Sequence, residues 1–188
     1  MIETYDKLAD LLEYPNSDWD SRIMFCADNE GLTKFRSRVD ALTLTDLQEL
    51  YTRTFDLNPV CALEIGYHLF GENYKRGEFL ANLHRTEEPF DLGQEHQLPD
   101  YLPVLLRLLT RLDDEELRAA LISECMTPAL EKMLKALGDS ENPYRHLLVA
   151  IDALLQKEPN VYPSRSERVH LPVMQTPAFS AGTNPNLF

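Results

Sequence analysis

The chain has 188 residues, 44% of them apolar and 26% charged, with a formal net charge of −13. That length suits one domain able to bury roughly 70% of its unfolded surface. The charge argues against a nucleic-acid binder, which must neutralise phosphates with Lys and Arg, and against docking on an anionic membrane, and it favours a cationic partner.

The chain opens Met1-Ile2-Glu3-Thr4-Tyr5-Asp6, without a basic stretch leading into an apolar one. No run of about 18 apolar residues occurs either, so neither a secretory signal nor a membrane span is expected. Cys26, Cys61 and Cys125 are far apart and form no Cys-x-x-Cys, which suggests reduced, buried thiols and a cytoplasmic location.

Apolar residues recur at helical spacing nearly throughout, and β-branched runs are missing. The pattern predicts helices near 2–13, 18–27, 30–41, 46–55, 60–70, 73–86, 100–111, 114–125, 128–137 and 143–157. Thr45 with Gln48 and Asp113 with Glu116 have capping-box spacing. Thr127-Pro128 and Asn142-Pro143 each set an N-cap residue before a proline, and Gly138 is placed to end a helix. The class expected is all-α, a compact single-domain helical bundle over residues 1–157. Residues 87–99 read as an acidic loop between two halves. Residues 158–188 hold five of the twelve prolines and no helical period, and are expected to form an extended Pro-rich C-terminal tail.

The 60–70 segment is apolar almost all round, so it is expected to be buried, with Gly66 admitting a close neighbour. Tyr67 and Phe70 are either core residues or the lining of a peptide groove. Glu49 is either a solvated carboxylate paired with Arg53 or part of a groove rim. Lys75-Arg76-Gly77 is a basic island that either pairs locally or clamps a carboxylate or phosphate. Pro99-Asp100 reads as a helix start with an acidic cap, although Asp100 beside Tyr101 could also receive an arginine. Glu64/His68 and His84/Glu88 are spaced i, i+4, yet no Glu-x-x-His pair, zinc motif, P-loop or nucleophile elbow accompanies them, so catalysis is not expected.

The run from Glu49 to Leu83, with Glu49-x-Tyr51-x-x-x-Phe55, Tyr67-His68-Leu69-Phe70-Gly71 and Lys75-Arg76-Gly77, precedes Leu98-Pro99-Asp100-Tyr101-Leu102-Pro103. Together these resemble the NarJ/TorD/DmsD-type family of molybdoenzyme assembly chaperones. The likeness is closest to the NarJ branch, since Tyr101 stands where the other branches favour histidine. The resemblance implies an all-helical chaperone, with no cofactor of its own and no catalysis. It implies a partner, the apo catalytic subunit of a nitrate-reductase-type molybdoenzyme, bound through its N-terminal leader until molybdopterin guanine dinucleotide is inserted. Contact with the cofactor-insertion machinery is a further possible partnership. Client-peptide-binding residues implied by the matching motifs are Glu49, Tyr51, Phe55, Tyr67, His68, Phe70, Gly71, Arg76, Pro99, Asp100 and Tyr101. In that picture Tyr51, Phe55, Tyr67 and Phe70 wall an apolar groove, while Glu49 and Asp100 fix a cationic leader. Arg165 and Arg168, followed by Leu171, Val173, Met174 and Phe179, give the tail a leader-like character that could cover the same groove. A permanent helical scaffold subunit of a redox complex is the competing reading, and a helical-bundle metal protein a weaker one.

Overall fold

A computed structural model describes residues 2–158 except 29, 58–60, 95 and 140; the expected tail, apart from its first residue Glu158, therefore lies outside the described residues. The described chain is helical: α1 Ile2–Leu12, α2 Trp19–Ile23 running into a 3₁₀ turn at Met24–Asp28, α3 Glu30–Val39, α4 Leu44–Tyr51, α5 Ile65–Phe70, α6 Lys75–Glu87, α7 Leu102–Leu109, α8 Glu115–Ala120, α9 Thr127–Leu137 and α10 Pro143–Leu155. No strand pairing beyond one isolated bridge occurs among the described residues. This is the all-α single domain that the periodicity predicted.

Helix α7 is the hub. Leu102, Pro103, Val104, Leu105, Leu106, Leu108 and Leu109 are all buried, the signature of a helix enclosed on every side. Helix α1 packs along it and α3 packs along α10. The Arg107 guanidinium, the one polar break in α7, reaches Asp10 Oδ1 and Glu13 Oε1 at 2.9 Å each, tying α7 to the end of α1.

Several predicted details shift. The capping box at α4 is Thr43 with Asp46, two residues before the expected Thr45 with Gln48. Helix α8 is capped by Asp114, which accepts from Leu117 N, and not by Asp113. Thr127-Pro128 does not begin a new helix: Thr127 has helical φ and ψ of −59° and −48°, and the chain passes from α8 to α9 through a π turn at Leu121–Met126. A proline clashes with the carbonyl four residues back, here Glu124, and the wider turn accommodates it without a break. A second π turn, Thr52–Asp56, continues α4. Asn142 and Gly138 do cap α10 and α9 as expected, the glycine at φ +58°. The 87–99 stretch is not simply an acidic loop, because Glu87 ends α6 and is buried, as is Leu92.

The largest correction concerns residues 60–70. Helix α5 begins only at Ile65, and Tyr67 to Phe70 are half-buried, not enclosed. Leu63 and Glu64 are drawn into an extended pairing with Tyr101 and Leu102: Ile65 N donates to Asp100 O at 2.8 Å and Leu102 N donates to Leu63 O at 2.9 Å. Asp100 does not cap α7, whose N-cap is Tyr101. Its carboxylate instead caps α5 from across the fold, accepting Gly66 N at 3.1 Å and Arg76 Nη2 at 3.1 Å with the side chain fully buried. Arg76, from the basic island, is thus spent on an internal ion pair. Burial raises the Asp100 pKa, against the opposing pull of Arg76 and the Gly66 amide. Glu87 lies close enough to feel that charge; burial first, then Asp100, pushes its carboxyl up to about 8.

Gly66 admits the close approach foreseen for it. A Cβ there would stand 2.5 Å from Asp100 Oδ2 and 3.1 Å from the Phe79 ring, whereas one at Gly77 would meet nothing within 4 Å. The same substitution therefore has opposite signs. Gly66→Ala should lose about 1–3 kcal/mol by overpacking, and Gly77→Ala should gain about 0.5–1 kcal/mol by helix propensity; urea unfolding of the two variants checks this. Glu87 adds a pH signature. Its folded pKa, about 8, lies above the ordinary carboxyl value of 4.5, so the folded state holds the proton more tightly and stability declines as pH rises between these values. Glu87→Gln should flatten that decline, and an unchanged slope would show that another group causes it.

Candidate functional site

Four separated segments meet beside the buried Asp100 node and enclose a cavity of about 210 Å³. The turn after α1 contributes Glu13 and Tyr14, the end of α4 and its π turn contribute Tyr51, Phe55 and Asp56, the extended pairing contributes Leu63, Glu64 and Tyr101, and Gln97 closes one side. Tyr51 and Phe55 are one helical turn apart, so their rings stack edge to face at 5.1 Å. Both also pack on the wholly buried Tyr144, at 5.9 and 4.8 Å. They form the floor of the cavity, each only 4% exposed, while Tyr14 stands at the mouth with 48% exposure.

Hydrogen bonding decides what the cavity offers. Tyr51 Oη lies 3.0 Å from Leu12 O and 3.1 Å from Tyr101 Oη. A carbonyl can only accept, so Tyr51 donates to Leu12 and the Tyr101 hydroxyl donates to Tyr51. Both hydroxyl protons are consumed inside the protein, and Tyr101 keeps lone pairs. Glu13 shares one oxygen with Arg107. Burial raises the carboxyl pKa of Asp56, and that of Glu64 is raised by burial and then by Asp100 and Asp56 nearby. Apart from Gln97 and the hydroxyl of Tyr14 at the mouth, the polar side chains around this cavity offer acceptors, and three of them are carboxylates. Such a lining suits a donor-rich cation, guanidinium above all.

The sequence-predicted residues divide between places. Tyr51, Phe55 and Tyr101 meet in the cavity. Asp100 and Arg76 lie behind it, and the half-buried Pro99 precedes them in the chain. Tyr67, His68, Phe70 and Gly71 belong to α5 and its end. The His68 ring lies edge-on to Tyr67 at 5.9 Å, and Phe70 packs on Phe79 at 5.3 Å. Burial lowers the His68 pKa, and the neutral ring donates from Nε2 to Ala62 O at 2.8 Å. Its i, i+4 relation to Glu64 builds no metal centre: no group of three suitable ligands converges among the described residues. Glu49 is exposed and lines a separate, broader groove with Arg38, Leu42 and Arg53.

Sequence reasoning missed Glu13, Tyr14, Asp56, Leu63, Glu64 and Gln97 as lining residues. No local pattern marks them, because the cavity exists only where distant segments cross. The three cysteines are free and buried, and burial drives their thiols up to about 11 for Cys26 and about 12 for Cys61 and Cys125, which keeps them unreactive. No helix among the described residues is long and apolar enough to cross a membrane.

Comparison with known proteins places these features in a family. Residues 24–163 match the family described as nitrate reductase delta subunit. The chain is 30% identical over 152 residues to an Escherichia coli K12 protein described as a probable nitrate reductase molybdenum cofactor assembly chaperone, NarW; the match covers 78% of this chain and 64% of that one. It is 27% identical over 164 residues to the Bacillus subtilis 168 protein of the same description, NarJ, covering 81% of this chain and 88% of that one. This chain thus spans just under two thirds of the Escherichia coli relative and most of the Bacillus one. With three quarters of its length matched, the chain belongs to the nitrate reductase delta subunit, or NarJ-type, family.

Proposed function

We propose that this protein is a non-catalytic assembly chaperone for a nitrate-reductase-type molybdoenzyme, acting in the cytoplasm. It holds the N-terminal segment of the apo catalytic subunit while the molybdenum cofactor is inserted, and so delays export or membrane docking. The relatives' descriptions support the chaperone role. The reading of its ligand is carried by one observation: an acceptor-lined cavity, walled by Tyr51, Phe55 and Tyr101 and edged by Glu13, Asp56 and Glu64.

A basic leader fits this lining in two ways. An arginine can stack on ring faces and donate to carboxylates in the same pose. Its surroundings are strongly anionic, since the chain carries 31 acidic against 18 basic residues, and long-range attraction speeds encounter with a cationic segment. Helix α5 begins one residue after Glu64. The half-buried rings of Tyr67 and Phe70, about one turn further on, are placed to receive apolar residues that follow the cation. Asp100 and Arg76 act from behind, by holding the Glu64–Tyr101 pairing in register.

Calorimetric titration of the cognate catalytic subunit's N-terminal peptide tests this. Glu64→Gln and Asp56→Asn should each weaken binding by about 1–3 kcal/mol, and Tyr67→Ala by about 1 kcal/mol. Wild-type affinity in both carboxylate variants would discard the cavity as the site. The raised pKa values of Asp56 and Glu64 set the pH dependence. Because both shift upward, these groups give up their protons at higher pH than free carboxyls do, so a cation should bind more weakly at about pH 5 than at about pH 7.5. Added salt should weaken it further. A role in assembly also requires pull-downs to recover the cofactor-free client and not the finished enzyme.

A further inference from the structure

We infer that the chain's own C-terminal segment around Arg165 and Arg168 occupies the carboxylate-edged cavity when no client is bound, acting as a tethered competitor. The inference rests on the reading of that cavity as a cation site and adds its regulation.

Three observations converge. The first is where the described chain ends. Glu158 is gripped at the far end of α1, accepting from Tyr5 Oη at 2.8 Å and Arg118 Nη2 at 3.1 Å. Glu13, at the cavity, lies eight residues along the same direction, about 12 Å at 1.5 Å per residue. Arg165 is seven residues beyond Glu158 and Arg168 ten, reaches of up to about 23 and 33 Å for extended chain. The span is therefore covered with slack.

Charge is the second observation. Residues 159–188 carry Arg165 and Arg168 against the single acid Glu167, a cationic surplus within a chain of net charge −13. Asp56 and Glu64 have no ion pair of their own among the described residues, whereas Glu13 already holds Arg107. Tethering is the third. A segment on a short linker meets its site at an effective concentration of about 1 mM, so weak contacts suffice to fill it and remain easy to displace. A client must then bind better than the tail, which screens out weakly cationic peptides.

The test uses the full chain. The native thiols are buried, so Ser166→Cys can be labelled selectively with a nitroxide. Amide resonances of Tyr14 and Gln97 should broaden, and should recover when Arg165→Glu and Arg168→Glu are added. Absence of broadening, or broadening that survives charge reversal, would overturn the inference. In the unlabelled chain the double reversal should raise affinity for the client N-terminal peptide at least about threefold, and equal affinities would overturn the competitive role. A client peptide that binds neither chain, with the broadening present, would sink the client reading while supporting occupancy by the tail.

Discussion

The fold turns on a single carboxylate. Asp100 has no exposure, yet its Oδ2 accepts from the Gly66 amide and from Arg76, while its backbone oxygen accepts from Ile65. Through it the start of α5, the first turn of α6 and the approach to α7 are fixed to one another. A carboxylate so enclosed is compensated on its Oδ2 side, while burial still raises its pKa and Oδ1 has no hydrogen-bond partner among the described residues. The α5 amide supplies a helix-terminal dipole, the guanidinium supplies a full countercharge, and Gly66 leaves room for both. Removing any one of these would leave a buried ion without its compensation.

The cavity inherits its geometry from this node. The antiparallel contact of Glu64 with Tyr101 exists because Asp100 anchors both strands of it, and that contact aims a carboxylate and a phenol into the same space. The electrostatics differ on the two sides of the contact. Behind it, Asp100 is matched by Arg76; at the end of α1, Glu13 is matched by Arg107. In front of it, Asp56 and Glu64 form no ion pair among the described residues, and Glu64 feels Arg76 only at a distance. A protein built purely for stability would gain by pairing them or replacing them. Leaving acceptors without donors in a concave, ring-floored site is the arrangement expected where the donor arrives on another molecule or another part of the chain.

Much of the architecture was legible in sequence because helices announce themselves locally. The leucine-rich period of Leu102–Leu109, Asn142-Pro143 and Gly138 all rest on interactions within one turn, and each appears where the local rules put it. The misreadings share a cause as well. Leu63 and Glu64 sit in a stretch of helical hydrophobicity but are captured by Tyr101 and Leu102, a partner nearly forty residues away. Thr127-Pro128 has the grammar of a new helix, yet burial of Leu121, Ile122, Cys125, Met126, Ala129 and Leu130 keeps the axis running, and a π turn absorbs the proline. Asp100 was correctly read as a cap and assigned to the wrong helix.

For function the division is similar. Composition and periodicity determined an all-helical, anionic chain, and the motif run from Glu49 to Pro103 its likeness to the NarJ-type family, because these properties are additive or local and survive without coordinates. Tertiary structure decided which side chains face one another. It brought Tyr51, Phe55 and Tyr101 to one cavity, sent Glu49 to a different groove, buried Asp100 on Arg76, and recruited Glu13, Asp56 and Glu64. Convergence of segments distant in sequence depends on how helices cross and on which buried groups must be satisfied, and no window of sequence contains that information.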